Sequence, residues 1–133
     1  MSVKVEGRGR ELLEGKNFCI VSTLRRDGSV HAVPVWVDIE DGMPLLNTAE
    51  GRAWPSNLDR DPHVTLTVPN WENPYEFLTI RGRVAEKRHD GADEHIDKLA
   101  KKYMGVEEYP LRRPGEQRVI IRVEPEVVKV NGR

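Results

Sequence analysis

Apolar positions along the chain fall in short, strand-like runs separated by turn residues, a pattern of a mainly β protein rather than of alternating strand and helix units. The first element is an exception. Arg8 to Gly15 reads as a short helix, with Leu12 and Leu13 on one side and Gly15 where a left-handed C-terminal residue is wanted. Asn17 to Leu24 is then a mostly apolar strand. Arg25-Arg26-Asp27-Gly28 is a tight turn, and Ser29 to Glu40 returns as one long strand, completing a hairpin. In that return strand Val33, Val35 and Val37 share one face, and Ala32, Pro34 and Trp36 share the other. Pro34 has no N–H to give to a ladder, so it marks an edge, a bulge or an opening where a surface is exposed.

Asp41-Gly42 turns the chain into a short strand from Pro44 to Thr48. Pro55 opens a helical turn that extends through Arg60, and Asp61-Pro62 ends it. His63 to Val68 is a strand with Val64, Leu66 and Val68 inward; Glu76 to Lys87 is another, interrupted at Gly82 by a bulge or a close backbone approach. Between them Pro69 to Tyr75 forms an ordered aromatic loop, which either folds back on the barrel or makes a wall for a planar ligand. Gly91 to Met104 is the clearest helix, since Ala92, Ile96, Leu99, Ala100 and Tyr103 recur at helical spacing; Asp90 is its expected cap. Arg118 to Val123 and Glu126 to Val130 finish the chain as two strands around a turn at Glu124-Pro125.

Composition narrows the function classes. The length of 133 residues fits a single domain, and no repeat or linker divides it. With 21 basic and 22 acidic side chains the formal net charge is -1, so no global field draws the chain to nucleic acid or to a membrane, and an anion site must be local. No apolar run reaches the roughly 18 residues of a spanning helix. The single Cys19 excludes an intramolecular disulfide and suits a reducing compartment, so a cytoplasmic location is expected. His31, His63, His89 and His95 share no metal-ligand spacing, and His89 and His95 read as solvated helix-end residues. No nucleophile motif, Walker loop or GxGxxG is present.

The junction from Thr48 through Gly51 and Arg52 into the helix carries the chemistry. A hydroxyl, a guanidinium and free backbone N–H groups at a helix start hold phosphate without a large net charge. An ordinary loop with Arg52 in a surface ion pair is the alternative. The residues alone lead to a binder of a planar, phosphorylated small molecule.

The order of motifs supplies the rest. Thr23-Leu24-Arg25-Arg26-Asp27-Gly28, Val33-Pro34-Val35-Trp36, Thr48-Ala49-Glu50-Gly51-Arg52, Asn57 to Pro62, Asn73-Pro74-Tyr75, Arg81-Gly82-Arg83-Val84, Leu99-Ala100, Lys102-Tyr103 and Pro114-Gly115-Glu116 before Arg118 resemble the pyridoxamine 5'-phosphate oxidase-like family. More narrowly they are similar to its F420-dependent oxidoreductase branch. The resemblance implies an α+β, mainly β split β-barrel of the FMN-binding type, antiparallel and Greek-key-like, with a few peripheral helices. It implies a homodimer with the cofactor in a groove at the interface, and hydride transfer to an unsaturated small molecule. F420 is the first choice of cofactor and FMN the alternative; a non-catalytic ligand-binding barrel is the third reading. By the same resemblance Thr48, Arg52, Ala53 and Asn57 serve the phosphate end, and His31, Val33 and Pro34 lie along the ring. Tyr75, Phe77 and Leu78 line the groove, and Arg118 meets the cofactor tail. No catalytic residue is assigned, Tyr75 and His31 being the acid candidates to test. The chain departs from the family pattern at Trp54 and Ser56, where basic residues are usual; Trp54 is expected to stack on the ring instead.

Overall fold

The computed structural model describes residues 3–132. In chain order these form α1 (Gly7–Glu14), β1 (Cys19–Leu24), β2 (Val30–Val35), β3 (Val37–Glu40), β4 (Met43–Ala49), α2 (Ala53–Arg60), β5 (His63–Asn70), β6 (Asn73–Arg88), α3 (Ala92–Met104) and β7 (Arg118–Asn131). All pairings are antiparallel, and the strand order is β2-β1-β5-β6-β7-β4-β3. β2 and β3 are consecutive in the chain with only Trp36 between them, yet they lie at opposite ends of the sheet. Only a sheet curled on itself brings its two ends that close. The result is a barrel that is open along the seam between β2 and β3.

The single strand expected from Ser29 to Glu40 is therefore two. Its first half pairs with β1, placing Pro34 opposite Ile20, and its second half pairs with β4, placing Val37 opposite Leu46. Pro34 sits on an edge strand, where a missing N–H costs no ladder bond. The change of partner at Trp36 leaves the backbone of Val37 to be satisfied from outside the sheet. α3 does this. The Tyr103 hydroxyl accepts from Val37 N at 3.2 Å and donates to Asn17 O at 2.7 Å, while Lys102 Nζ donates to Val37 O at 2.9 Å and to Leu13 O at 2.7 Å.

The interior is closed by Leu12 and Leu13 of α1, Val21 of β1, Leu46 of β4, Leu66 and Val68 of β5, Leu78 and Ile80 of β6, and Ile121 and Val123 of β7. Trp54 and Leu58 of α2 belong to the same cluster. On the other side of β4 and β7, Leu45 and Ile120 pack against Ala92 of α3. β4 is thus buried on both faces, which is why its sequence shows no alternation.

Gly82 lies where the register of β6 against β7 shifts, and a Cβ there would sit 2.3 Å from Glu124 O. The expected close approach is real. Opposite it, Glu124-Pro125 is no turn: β7 runs unbroken from Arg118 to Asn131, because the bulge absorbs the N–H that Pro125 lacks. Pro69 to Tyr75 is likewise shorter than the loop expected. Asn70 pairs with Asn73 across a two-residue turn at Trp71 and Glu72, with Glu72 N donating to Asn70 Oδ1 at 3.0 Å. α3 is capped by Gly91 at φ 76° rather than by Asp90, and Gly15 after α1 is extended at φ -74° instead of left-handed. Asn17 Nδ2 closes the end of α1 by donating to Leu12 O.

Candidate functional site

A cleft of about 170 Å³ opens beside the seam, between β4, β7 and the segment that joins α3 to β7. Pro34 and Trp36 come from the seam, Arg52 from the N-cap of α2, Arg118 from the start of β7, and Tyr109 and Leu111 from the joining segment. That segment is tied to α3: Arg112 bridges to Asp93 at 3.0 Å and to Asp97 at 2.6 Å, and Asp97 also accepts from Tyr109 N at 2.8 Å. An adjoining apolar hollow of about 210 Å³ is formed by Phe18, Ile20, Pro34, Pro69 and Trp71. Phe18 and Pro34 line both, so one surface runs from two arginines to an apolar floor.

Aromatic rings make a continuous stack behind this surface. Trp71 meets Phe18 edge-on at 5.2 Å, Phe18 meets Tyr103 at 5.8 Å, Trp36 lies parallel to Tyr103 at 5.3 Å, and Tyr109 meets Trp36 edge-on at 5.9 Å. The Arg118 guanidinium lies 5.2 Å from the Tyr109 ring centre, within the range of a cation–π contact. Trp71 of the β5–β6 turn thus folds back on Phe18 and, 60% exposed, still presents a face to the hollow.

Charge in the cleft is arranged around Glu116. Its carboxylate lies 3.0 Å from Arg118 Nη1 and 3.7 Å from Arg52 Nη2. Arg118 is buried and Arg52 is half exposed, so Arg118 is a fixed charge and Arg52 a reachable one. Arg118 Nε donates to Asn47 Oδ1 at 3.0 Å, and Asn47 Nδ2 donates to Ala92 O at 2.9 Å and lies 3.1 Å from His95 Nδ1. His95 Nε2 is 3.1 Å from Asp38 Oδ2, which also accepts from Lys98 at 3.1 Å. Burial pushes the Asp38 carboxyl up, but its bonds from His95, Ile39 N and Lys98 outweigh that and hold it well below the usual carboxylate range.

The sequence-assigned residues divide into groups. Pro34, Arg52 and Arg118, from three separate elements, meet in the cleft. Ala53 is exposed as the first residue of α2, directly after Arg52. Asn57 is turned elsewhere, donating to Thr23 Oγ1 at 3.1 Å. Thr48 and Leu78 are buried, and Trp54 is only 4% exposed within the core cluster, so the stacking surface expected of Trp54 is spent inside the barrel. That also accounts for the absent basic residue, since a position closed in by the core does not hold a free charge. Val33 packs against the core from β2. Tyr75, 85% exposed, and Phe77 lie on β6 and line neither hollow at the seam. Among the described residues three buried side-chain polar atoms lack a hydrogen-bond partner, and two of them, His31 Nδ1 and Thr48 Oγ1, belong to assigned positions.

Sequence reasoning missed Asn47, His95, Tyr109 and Glu116. His95 is buried rather than solvated; it falls three residues after Ala92 and four before Leu99, and that spacing puts it on the buried stripe of α3. A larger hollow of about 350 Å³, lined among others by Leu24, Val30, Thr65, Arg81 and Val127, contains none of the assigned residues.

Comparison with known proteins accords with this architecture. The family model described as pyridoxamine 5'-phosphate oxidase matches residues 5–132. A solved F420 reductase is 25% identical, with a TM-score of 0.81, over 94% of this chain and 98% of that one. General stress protein 26 from Bacillus anthracis is 17% identical, with a TM-score of 0.66, over 91% of this chain and 88% of that one. HupZ from Group A Streptococcus is 16% identical, with a TM-score of 0.67, over 93% and 92%. No curated protein matches the chain by sequence. Among the described residues no helix is long and apolar enough to cross a membrane. With a curled antiparallel sheet of this order and a family match over nearly its whole length, the chain belongs to the pyridoxamine 5'-phosphate oxidase family of split β-barrels.

Proposed function

We propose that this protein is an oxidoreductase that uses F420 to transfer a hydride to or from an unsaturated small molecule, with the cofactor in the seam cleft. The observation that carries the reading is the convergence of Arg52, Arg118 and Pro34 in one cleft whose floor continues into an apolar hollow. This donor set suits an anionic group joined to a planar ring. Arg52 and the start of α2, which has no side-chain cap, meet the phosphate; Pro34 and Trp71 border the ring. The unpartnered His31 Nδ1 and Thr48 Oγ1 line neither the cleft nor the hollow and carry no part of this reading.

The cofactor, when bound, supplies the hydride chemistry; the chain's own residues bind it, orient it and keep water out. In this reading a second copy of the chain covers the outer face of β1, β2, β5 and β6, where Leu24 and Val30 are exposed beside Val127 of β7, and brings Tyr75 and Phe77 to the groove.

The test is a titration of the purified protein with F420 and with FMN, alongside Arg52→Ala. Micromolar binding of F420 that weakens about tenfold or more in the variant supports the proposal, that factor being the loss of one charge-assisted contact. Preference for FMN moves the assignment to a flavin-dependent oxidase or reductase, and binding of neither overturns it. Sedimentation at micromolar concentration checks the dimer: a monomer removes the shared groove.

A further inference from the structure

Asn47, His95 and Asp38 lie on β4, α3 and β3 and form a buried chain of hydrogen bonds that ends at Arg118 in the cleft. The direction of each bond follows from its neighbours. Asn47 Nδ2 must be the donor to Ala92 O, and Oδ1 must be the acceptor from Arg118 Nε. Nδ2 therefore also donates to His95 Nδ1, so the ring is neutral there and carries its proton on Nε2, toward Asp38.

This arrangement has two exclusive forms. A proton on His95 Nδ1 turns that atom into a donor facing another donor. Rotating the Asn47 amide gives the imidazolium its acceptor, but then Nδ2 faces Arg118 Nε–H and Ala92 O loses its partner. No orientation of one amide serves both a protonated His95 and Arg118. Asn47 and His95 are 7% and 8% exposed, so water does not freely replace the lost bonds.

We propose that Asn47 and His95 are positioning residues for Arg118, and that Asn47 transmits the charge of His95 to the cleft. With His95 neutral, Arg118 is held beside Tyr109 and Glu116 and ready for an anionic group. Proton uptake by His95 forms an ion pair with Asp38, frees Arg118 from Asn47 and weakens anion binding. The other charged groups around His95 are Glu40 from β3, Arg88 from β6, Asp90 before α3, and Glu94 and Lys98 on α3 itself, with Arg118 of β7 behind Asn47. They are near balance in sign, and the positive charge that His95 gains would by itself favour an anion, so a fall in anion affinity on protonation is the signature of the Asn47 link. The proposal rests on the anion-binding reading of the cleft only in its second measurement.

The first measurement needs no ligand. In wild-type protein the ring nitrogens of His95 and the Arg118 Nε–H are followed by NMR from pH 8 to pH 5.5. His95 is expected as the Nε2–H tautomer at pH 8, and the two residues are expected to shift with one midpoint; in His95→Gln the Arg118 signal no longer follows pH. An Arg118 signal indifferent to the charge of His95, or the Nδ1–H tautomer at pH 8, overturns the proposal, and the wild-type spectra alone decide both points. The second measurement titrates sulfate, whose charge is constant over this range. Wild-type affinity is expected to fall about tenfold on acidification, the worth of one charge-assisted bond, and to be independent of pH in His95→Gln. Equal pH dependence in both proteins refutes the coupling. Coupled NMR shifts without sulfate binding uphold the positioning role and refute the cofactor reading instead.

Discussion

Tyr103→Phe tests how the barrel closes. The substitution keeps the ring, and with it the parallel stack on Trp36 at 5.3 Å and the contact with Phe18 at 5.8 Å, and it removes one oxygen. That oxygen accepts from Val37 N at 3.2 Å and donates to Asn17 O at 2.7 Å. Burial pushes the phenol up to about 12, so it remains a donor across the neutral range. Val37 is fully buried, and its N–H faces the break between β2 and β3, where no neighbouring strand replaces the lost partner. A buried donor left unsatisfied costs about 1–3 kcal/mol, so a loss of about 2 kcal/mol is expected. In urea unfolding, with a slope of about 1.5 kcal/mol/M for a domain of this size, the midpoint drops by about 1.3 M at unchanged slope. A midpoint within about 0.3 M of wild type, equivalent to about 0.5 kcal/mol, means the seam is not closed by this hydroxyl and refutes the account of the strand break.

Other expectations concern the bulge, the cleft and α3. Gly82→Ala puts a Cβ 2.3 Å from Glu124 O, and should lower stability by about 2 kcal/mol or more in denaturant unfolding; a neutral result shows the β7 backbone yields freely. Arg118→Met leaves Asn47 and Glu116 buried without their cation and should cost about 3–5 kcal/mol, whereas Arg52→Ala should stay within about 1 kcal/mol; thermal unfolding of the two variants separates a fixed charge from a reachable one. Burial lowers Lys102 from 10.5 to about 8, so above pH 8 the folded chain releases a proton that the unfolded chain still holds. Stability from this group accordingly rises between about pH 8 and 10.5, and the difference in unfolding free energy between wild type and Lys102→Met should grow over that window; a flat difference contradicts the assignment.

What the sequence conveys about this fold, and where it stops, follows from the range of the interactions involved. The turn at Asp27 and Gly28, the bulge at Gly82 and the helix from Ala92 to Met104 are set by backbone preference and periodicity within a few residues, and all three were legible. The break at Trp36 was not. Val33, Val35 and Val37 keep the alternation of one strand, and nothing local tells that the partner changes from β1 to β4. That change is fixed by barrel closure, a contact between the ends of the sheet. The site divides the same way. Arg52 and Arg118 were legible as cations in a family pattern, but Trp54 was misplaced, because an indole beside a presumed phosphate site and an indole capping the core look alike until α2 is docked. Asn47 shows the limit most clearly. Its neighbours Leu46 and Thr48 mark a buried strand, so a buried amide there had to find partners; that they are Ala92, His95 and Arg118 depends on α3 and β7, 45 to 71 residues further along the chain. The residues that touch a ligand can thus be guessed from motifs, whereas those that hold them in place emerge only from packing. In this protein it is the second group that makes Arg118 a fixed charge.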